Sequence, residues 1–134
     1  MHHRLLSGLA LLGVLLLGAA CTPEPLPLSV GDLPASRNAA RGAEVFARSV
    51  DGAPACGSCH HLDDTPGHGP GLAGYGSRAG VQEAGQSAEA YTFDSIVAPA
   101  RHIVSGYSNI MYADYASHLN AQEIADLIAF LLGL

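Results

Sequence analysis

The sequence predicts an all-α fold, on three observations. Asn120 and Glu123 form a capping-box pattern, and Ile124, Leu127, Ile128 and Leu131 follow at i, i+3, i+4, i+7, the stripe of a helix buried along one face. Asn38 stands where a helix N-cap would, ahead of Ala39, Ala43, Phe46 and Ala47 on one face at helical spacing. No alternation of period two, the mark of a half-buried strand, rises above noise.

At 134 residues the chain is long enough for one domain and not for two. Residues 1–20 read as a secretory signal peptide. Arg4 and the N-terminal amine open it, an apolar run from Leu5 to Leu17 follows, and the small residues Gly18, Ala19 and Ala20 close it. The run is shorter than the roughly 20 residues that a membrane-spanning helix needs, and a plain N-terminal anchor is the competing reading. Cys21 comes directly after, placed like the lipidated cysteine of a bacterial lipobox, with Gly18 where leucine is usual. Lipidation of Cys21 would remove a thiol that is otherwise a liability on an exported protein; an ordinary signal peptide with a stray cysteine is the alternative.

Residues 21–35 contain Pro23, Pro25, Pro27 and Pro34. Proline fixes φ and removes a backbone donor, so an extended tether is expected here, with the folded domain over 36–134. The first helix should run from about Asn38 to Ser49, with Gly42 admitting the close approach of another backbone. From 51 to 90 glycine, proline and small polar residues dominate, and Gly67, Gly69, Gly71, Gly74 and Gly76 predict neither helix nor strand. Such a segment supplies little apolar area of its own and makes sense wrapped around a large, rigid, apolar object. A short helix is expected over Tyr91–Val97, ending before Pro99, then a loop with occasional helical turns over 100–119, then the final helix.

There are no lysines, six arginines and twelve acidic residues, for a net charge of −6; losing Arg4 with the signal peptide makes the mature chain more acidic still. Nothing here neutralises phosphates, so no nucleic-acid role is expected. Partners should present a positive or an apolar patch.

Cys56-Gly57-Ser58-Cys59-His60 is C-x-x-C-H, the attachment signature of a c-type haem. Two thiols three residues apart on a helical turn can each form a thioether with a haem vinyl group, and His60 then faces the iron as proximal ligand. The rival readings are weaker. A thioredoxin-like pair needs a βαβ setting, a zinc site needs two more ligands at regular spacing, and a Cys56–Cys59 disulfide leaves His60 without a role. If Cys21 takes lipid and Cys56 and Cys59 take haem, no cysteine is left over.

For the sixth ligand the candidate is Met111, the one methionine other than Met1, in an irregular segment just before the final helix. A lone methionine is otherwise core filler. His102 is the serious rival; His68 and His118 are further ones, His61 is too close to His60 to reach the opposite face, and a vacant position is the last alternative. Met/His ligation would raise the potential relative to a bis-His site.

Over residues 36–134 the chain resembles the class I, mitochondrial-type cytochrome c family, in its bacterial periplasmic or membrane-tethered form. The resemblance implies that the N- and C-terminal helices cross, with Gly42 and Phe46 against Leu127 and Phe130, while short helices and loops wrap one haem. His68-Gly69-Pro70-Gly71-Leu72 resembles the family's G-P-x-L loop, which implies that Pro70 packs on His60 and accepts the imidazole N–H with its carbonyl. Tyr91 to Met111 resembles the segment leading to the axial methionine in electron-carrier and oxidase-associated domains. Two departures stand out: Tyr112 follows Met111 where the family usually has proline, and the docking lysines are missing. No partner is therefore carried over from the family.

Around the haem, Leu72, Tyr75, Ile96, Ile103 and Ile110 are expected to line the pocket. Arg101 is either a partner for a haem propionate or a solvated loop residue, and Tyr107 and Tyr112 are either hydrogen-bond donors to the site or ordinary packing. The expected function is electron transfer and not enzyme catalysis: a carrier with one covalent haem c, shuttling single electrons between redox protein donors and acceptors of an exported respiratory or photosynthetic chain, with no small-molecule substrate. A firmly bound cytochrome c subunit of a larger oxidoreductase is the alternative, and a gas-binding haem protein with an open iron site is the third. The expected location is the periplasmic side of a membrane, held there by lipid on Cys21.

Overall fold

The computed structural model describes residues 29–134; the expected signal peptide, Cys21 and most of the proline tether lie outside them. Four α-helices follow in order: α1 (Ala39–Ala47), α2 (Tyr75–Ala79), α3 (Ala88–Val97) and α4 (Ala121–Leu131). Short 3-10 turns at Val30–Asp32, Cys56–Ser58, Pro99–Arg101 and Tyr115–Ser117 link them. Among the described residues there is no strand, only an isolated bridge between Val50 and Ala53. The fold is all-α, and no described helix is long and apolar enough to cross a membrane.

α1 begins where Asn38 accepts the Arg41 N–H on its side chain at 3.1 Å. It ends at Ala47, two residues short of the expected Ser49, because Arg48 turns extended. α4 has the full reciprocal cap: Asn120 accepts the Glu123 N–H and Glu123 accepts the Asn120 N–H, each at 3.0 Å. The two helices cross at Gly42. A β-carbon there would overlap the Asp126 carbonyl and lie 2.8 Å from the Phe130 side chain, and the Phe46 and Phe130 rings meet with centroids 5.5 Å apart. Ile124, Leu127, Ile128 and Leu131 are all buried, so the stripe does face the core.

Two elements depart from expectation. Gly76 lies inside α2, in a stretch expected to hold no helix. The reason is tertiary: α2 packs so close to the Leu132 carbonyl that a β-carbon at Gly76 would overlap it. Gly74, at φ 60°, makes the left-handed step that starts this helix. α3 begins at Ala88, three residues before the expected Tyr91, because Ser87 caps it by accepting the Ala90 N–H at 3.1 Å. Tyr91, Thr92, Phe93 and Ile96 are its buried face. The Thr92 hydroxyl donates to the Ala88 carbonyl at 2.7 Å, so it accepts from the Tyr75 hydroxyl at 3.0 Å, tying α3 to α2.

Candidate functional site

The C-x-x-C-H segment is held as a tight turn. The amides of Cys59 and His60 both donate to the Cys56 carbonyl, at 3.1 and 3.0 Å, and the Ser58 hydroxyl donates to the Ala55 carbonyl at 2.6 Å. The following loop is laced back onto it: Gly69 N–H donates to the Cys59 carbonyl at 3.0 Å and Leu72 N–H to the His61 carbonyl at 2.8 Å. This places Cys56, Cys59 and His60 on the wall of a cavity of ≈ 380 Å³, within the range of cofactor sites.

His60 is oriented from two sides. Its Nδ1 lies 3.0 Å from the Pro70 carbonyl. A carbonyl only accepts, so Nδ1 carries the hydrogen and the Nε2 lone pair is left for a metal. Gly69 packs on the ring, where a β-carbon would overlap Cε1. Gly67 is equally confined, with a β-carbon there 2.5 Å from the Cys59 carbonyl oxygen.

Met111 lines the same cavity, as do Leu72, Tyr75, Ile96, Ile103 and Ile110. Ile103 and Ile110 are 51% and 62% exposed on the polypeptide alone. They form an apolar wall that needs a large apolar group against it. Tyr107 and Tyr112 also line the cavity; Tyr112 hydrogen-bonds His118 Nε2 at 2.9 Å and stacks edge-on to Tyr115, whose hydroxyl donates to the Pro54 carbonyl at 2.9 Å. Burial pushes the Tyr75 and Tyr115 phenols up to about 12, so both stay neutral donors.

The histidines separate. His68 and His102 share the cavity with His60, whereas His61 and His118 do not line it. Both ring nitrogens of His102 face carboxylates, Nδ1 toward Glu83 at 3.2 Å and Nε2 toward Asp94 at 3.7 Å. Arg101 does not line the cavity either; it reaches Asp94 at 3.2 Å. The arginine on the wall is Arg78, which also donates to the Gly71 carbonyl at 3.1 Å. Nothing in the sequence singled out Arg78 over Arg101; only the fold of α2 decides it.

The donor set fits a covalent haem: two thiols on one turn, an imidazole with its outer nitrogen engaged, a thioether in the same cavity, and apolar walls. It does not fit thiol–disulfide chemistry. Burial pushes the Cys56 thiol up to about 11, whereas a reactive C-x-x-C needs a lowered value. Among the described residues no group of three or more His, Cys, Asp or Glu side chains is placed to hold a metal ion by itself, so a zinc site has no support.

The family model described as Cytochrome c matches residues 39–134, from the first residue of α1 to the end of the chain. No curated protein matches the sequence.

Proposed function

The chain belongs to the cytochrome c family, whose chemistry is haem-based electron transfer, and from that premise we propose that it holds one haem c through Cys56 and Cys59, with His60 and Met111 as axial ligands, and passes single electrons between redox proteins. The observation that carries this reading is the shared cavity: both thiols, His60 and Met111 line it together.

Haem, when bound, supplies the one-electron couple. The chain's own residues set the conditions. Cys56 and Cys59, both on the cavity wall, would hold the group by thioether bonds. The Pro70 carbonyl takes the Nδ1 hydrogen of His60, which raises the basicity of Nε2 and holds the ring in one plane. Met111 offers a soft thioether that favours the reduced state. Leu72, Ile96, Ile103 and Ile110 keep water off, and the low dielectric keeps reorganisation small.

On this reading residues 1–20 direct export, Cys21 takes lipid, and the segment up to residue 35 lets the domain over 36–134 swing between a donor and an acceptor on the periplasmic face of a membrane. Such a tether raises local concentration without any new contact. The partners are redox proteins with a positive or apolar docking face, because the chain has no lysines and is acidic overall.

The test is expression of the full chain in a host that matures c-type cytochromes. Pigment that stays with the polypeptide in acidified organic solvent is expected, together with a haemochrome band of thioether-linked haem; pigment that extracts completely refutes the attachment. The reduced protein should resist carbon monoxide at neutral pH, and rapid binding would exclude Met111 as ligand. Mass analysis of the membrane-extracted protein should find lipid on Cys21 as the first residue; an unmodified cysteine there rejects the anchor.

A further inference from the structure

His102 sits in the wall of the cavity that also holds His60 and Met111, and its ring is bracketed by carboxylates. Nδ1 lies 3.2 Å from Glu83 Oε1 and Nε2 3.7 Å from Asp94 Oδ2. Asp94 in turn accepts from Arg101 at 3.2 Å and from Gln86 at 2.9 Å. The Tyr91 ring lies 5.1 Å from the imidazole. The charged and titratable groups facing His102 are thus Glu83 from the loop before α3, Asp94 and Tyr91 from α3, and Arg101 from its own turn. The His102 side chain is only 13% exposed, and its Nε2 is shut off from solvent with no hydrogen-bond partner. Glu83, which touches Nδ1, is half-exposed and connects the ring to water.

The charge arithmetic of this cluster has two states. With an imidazolium, Glu83, Asp94, Arg101 and His102 sum to zero; with a neutral imidazole they sum to −1. A unit change of charge on the wall of a low-dielectric cavity biases any charge change inside it. A neutral cluster favours the reduced cofactor, and a negative one favours the oxidised cofactor.

We infer that His102 is a redox-linked proton site, binding a proton when the cofactor in this cavity gains an electron and releasing it when the electron leaves. This rests on the haem reading above. The balance is one electron from the redox partner and one proton from water on reduction, the proton ending on an imidazole nitrogen; oxidation returns both, and no other bond forms or breaks. Ferric iron is more positive than ferrous iron, so the imidazolium is held less tightly in the oxidised protein. The reduction potential therefore falls as pH rises through a window bounded by proton release in the two states, and is flat on either side. The range to search is roughly pH 5–8, where histidine side chains in general change charge.

The experiment is a spectroelectrochemical titration of the haem-loaded protein across that range, with an electrode as electron source. The wild type should show the sloping window. His102→Gln should flatten it, and Glu83→Gln should move it to lower pH, because a carboxylate that stabilises the imidazolium is gone. A flat wild-type profile, or a His102→Gln profile that keeps the same slope, overturns the inference. Should the variant fail to mature, nitrogen-15 NMR of histidine in the wild type decides: the His102 signals should titrate at higher pH in the ferrous than in the ferric protein, and equal midpoints overturn it. A chain that takes up no covalent haem refutes the underlying reading itself, and that result is distinct from a haem-loaded protein whose potential ignores His102.

Discussion

Gly69 lies flat against the imidazole of His60, with no room between them for a methyl group. A β-carbon there would come within 2.7 Å of Nδ1 and 2.8 Å of Nε2. With the Pro70 carbonyl 3.0 Å from Nδ1, one face of the ring is packed and one nitrogen is bonded. Two adjacent backbone groups, Gly69 and the Pro70 carbonyl, thus act together on the orientation of His60.

Replacing Gly69 by alanine should displace either the ring or the loop that bonds it. Overpacking of this kind costs about 1–3 kcal/mol. The expected result is a lower denaturant midpoint for the haem-loaded protein and an altered visible spectrum, since the ring can no longer hold its plane. A variant matching the wild type in both would mean that the loop yields without disturbing His60.

On the proposed ligand set, Met111→Ala should lower the reduction potential and change the visible spectrum, because a thioether donor would be replaced by water or by another side chain. Carbon monoxide should then bind the reduced protein readily. An unaltered spectrum and potential would move the sixth ligand elsewhere, with His102 and then His68 the next side chains to test, since both share the cavity.

Features that depend on near neighbours in sequence were legible. The capping box and apolar stripe of α4 and the N-cap of α1 are local patterns, and the structure shows both. The turn of Cys56 to His60 is equally local, whereas the bond between His60 and the Pro70 carbonyl was expected only from the family resemblance and is present at 3.0 Å. Features that depend on chain closure were not. Gly76 sits in a helix that packs against the Leu132 carbonyl, over fifty positions away, a contact that leaves no room for a side chain and that no local rule anticipates. Arg101 was a candidate for the cavity, yet its pairing with Asp94 turns it outward while Arg78 lines the wall. The bracketing of His102 by Glu83 and Asp94 likewise exists only once the loop before α3 folds across the turn after it.

Gly42→Ala tests the helix crossing. In an isolated helix alanine is favoured over glycine by about 1 kcal/mol. Here the added carbon would overlap the Asp126 carbonyl and press on Phe130, so α1 and α4 must separate. The net effect expected is a loss of about 1–3 kcal/mol, read as a lower denaturant midpoint with an unchanged slope. A variant that gained stability would mean that helix propensity outweighs the contact and that the crossing is looser than the structure has it.

Asp126 should govern part of the acid sensitivity. Its side chain is only 3% exposed and accepts the Asn38 N–H at 2.6 Å, Arg41 Nε at 2.7 Å and Gln122 Nε2 at 2.9 Å. The bond from Arg41 comes first among the causes holding its carboxyl below the ordinary 3.8, with Asn38 and Gln122 adding to it against the opposing effect of burial. The folded state therefore binds this proton less readily than the unfolded chain, so the stabilisation is complete above the unfolded value near 3.8 and fades as pH falls through the lower folded one. Asp126→Asn should lose roughly 1.5–3 kcal/mol at neutral pH, because charge-assisted hydrogen bonds are replaced by weaker ones. Its urea midpoint should then converge on that of the wild type as both are acidified. Other groups are protonated over the same range, so the difference between the two proteins is the quantity to follow. A constant difference down to about pH 3 would show that this carboxylate is not the group being protonated.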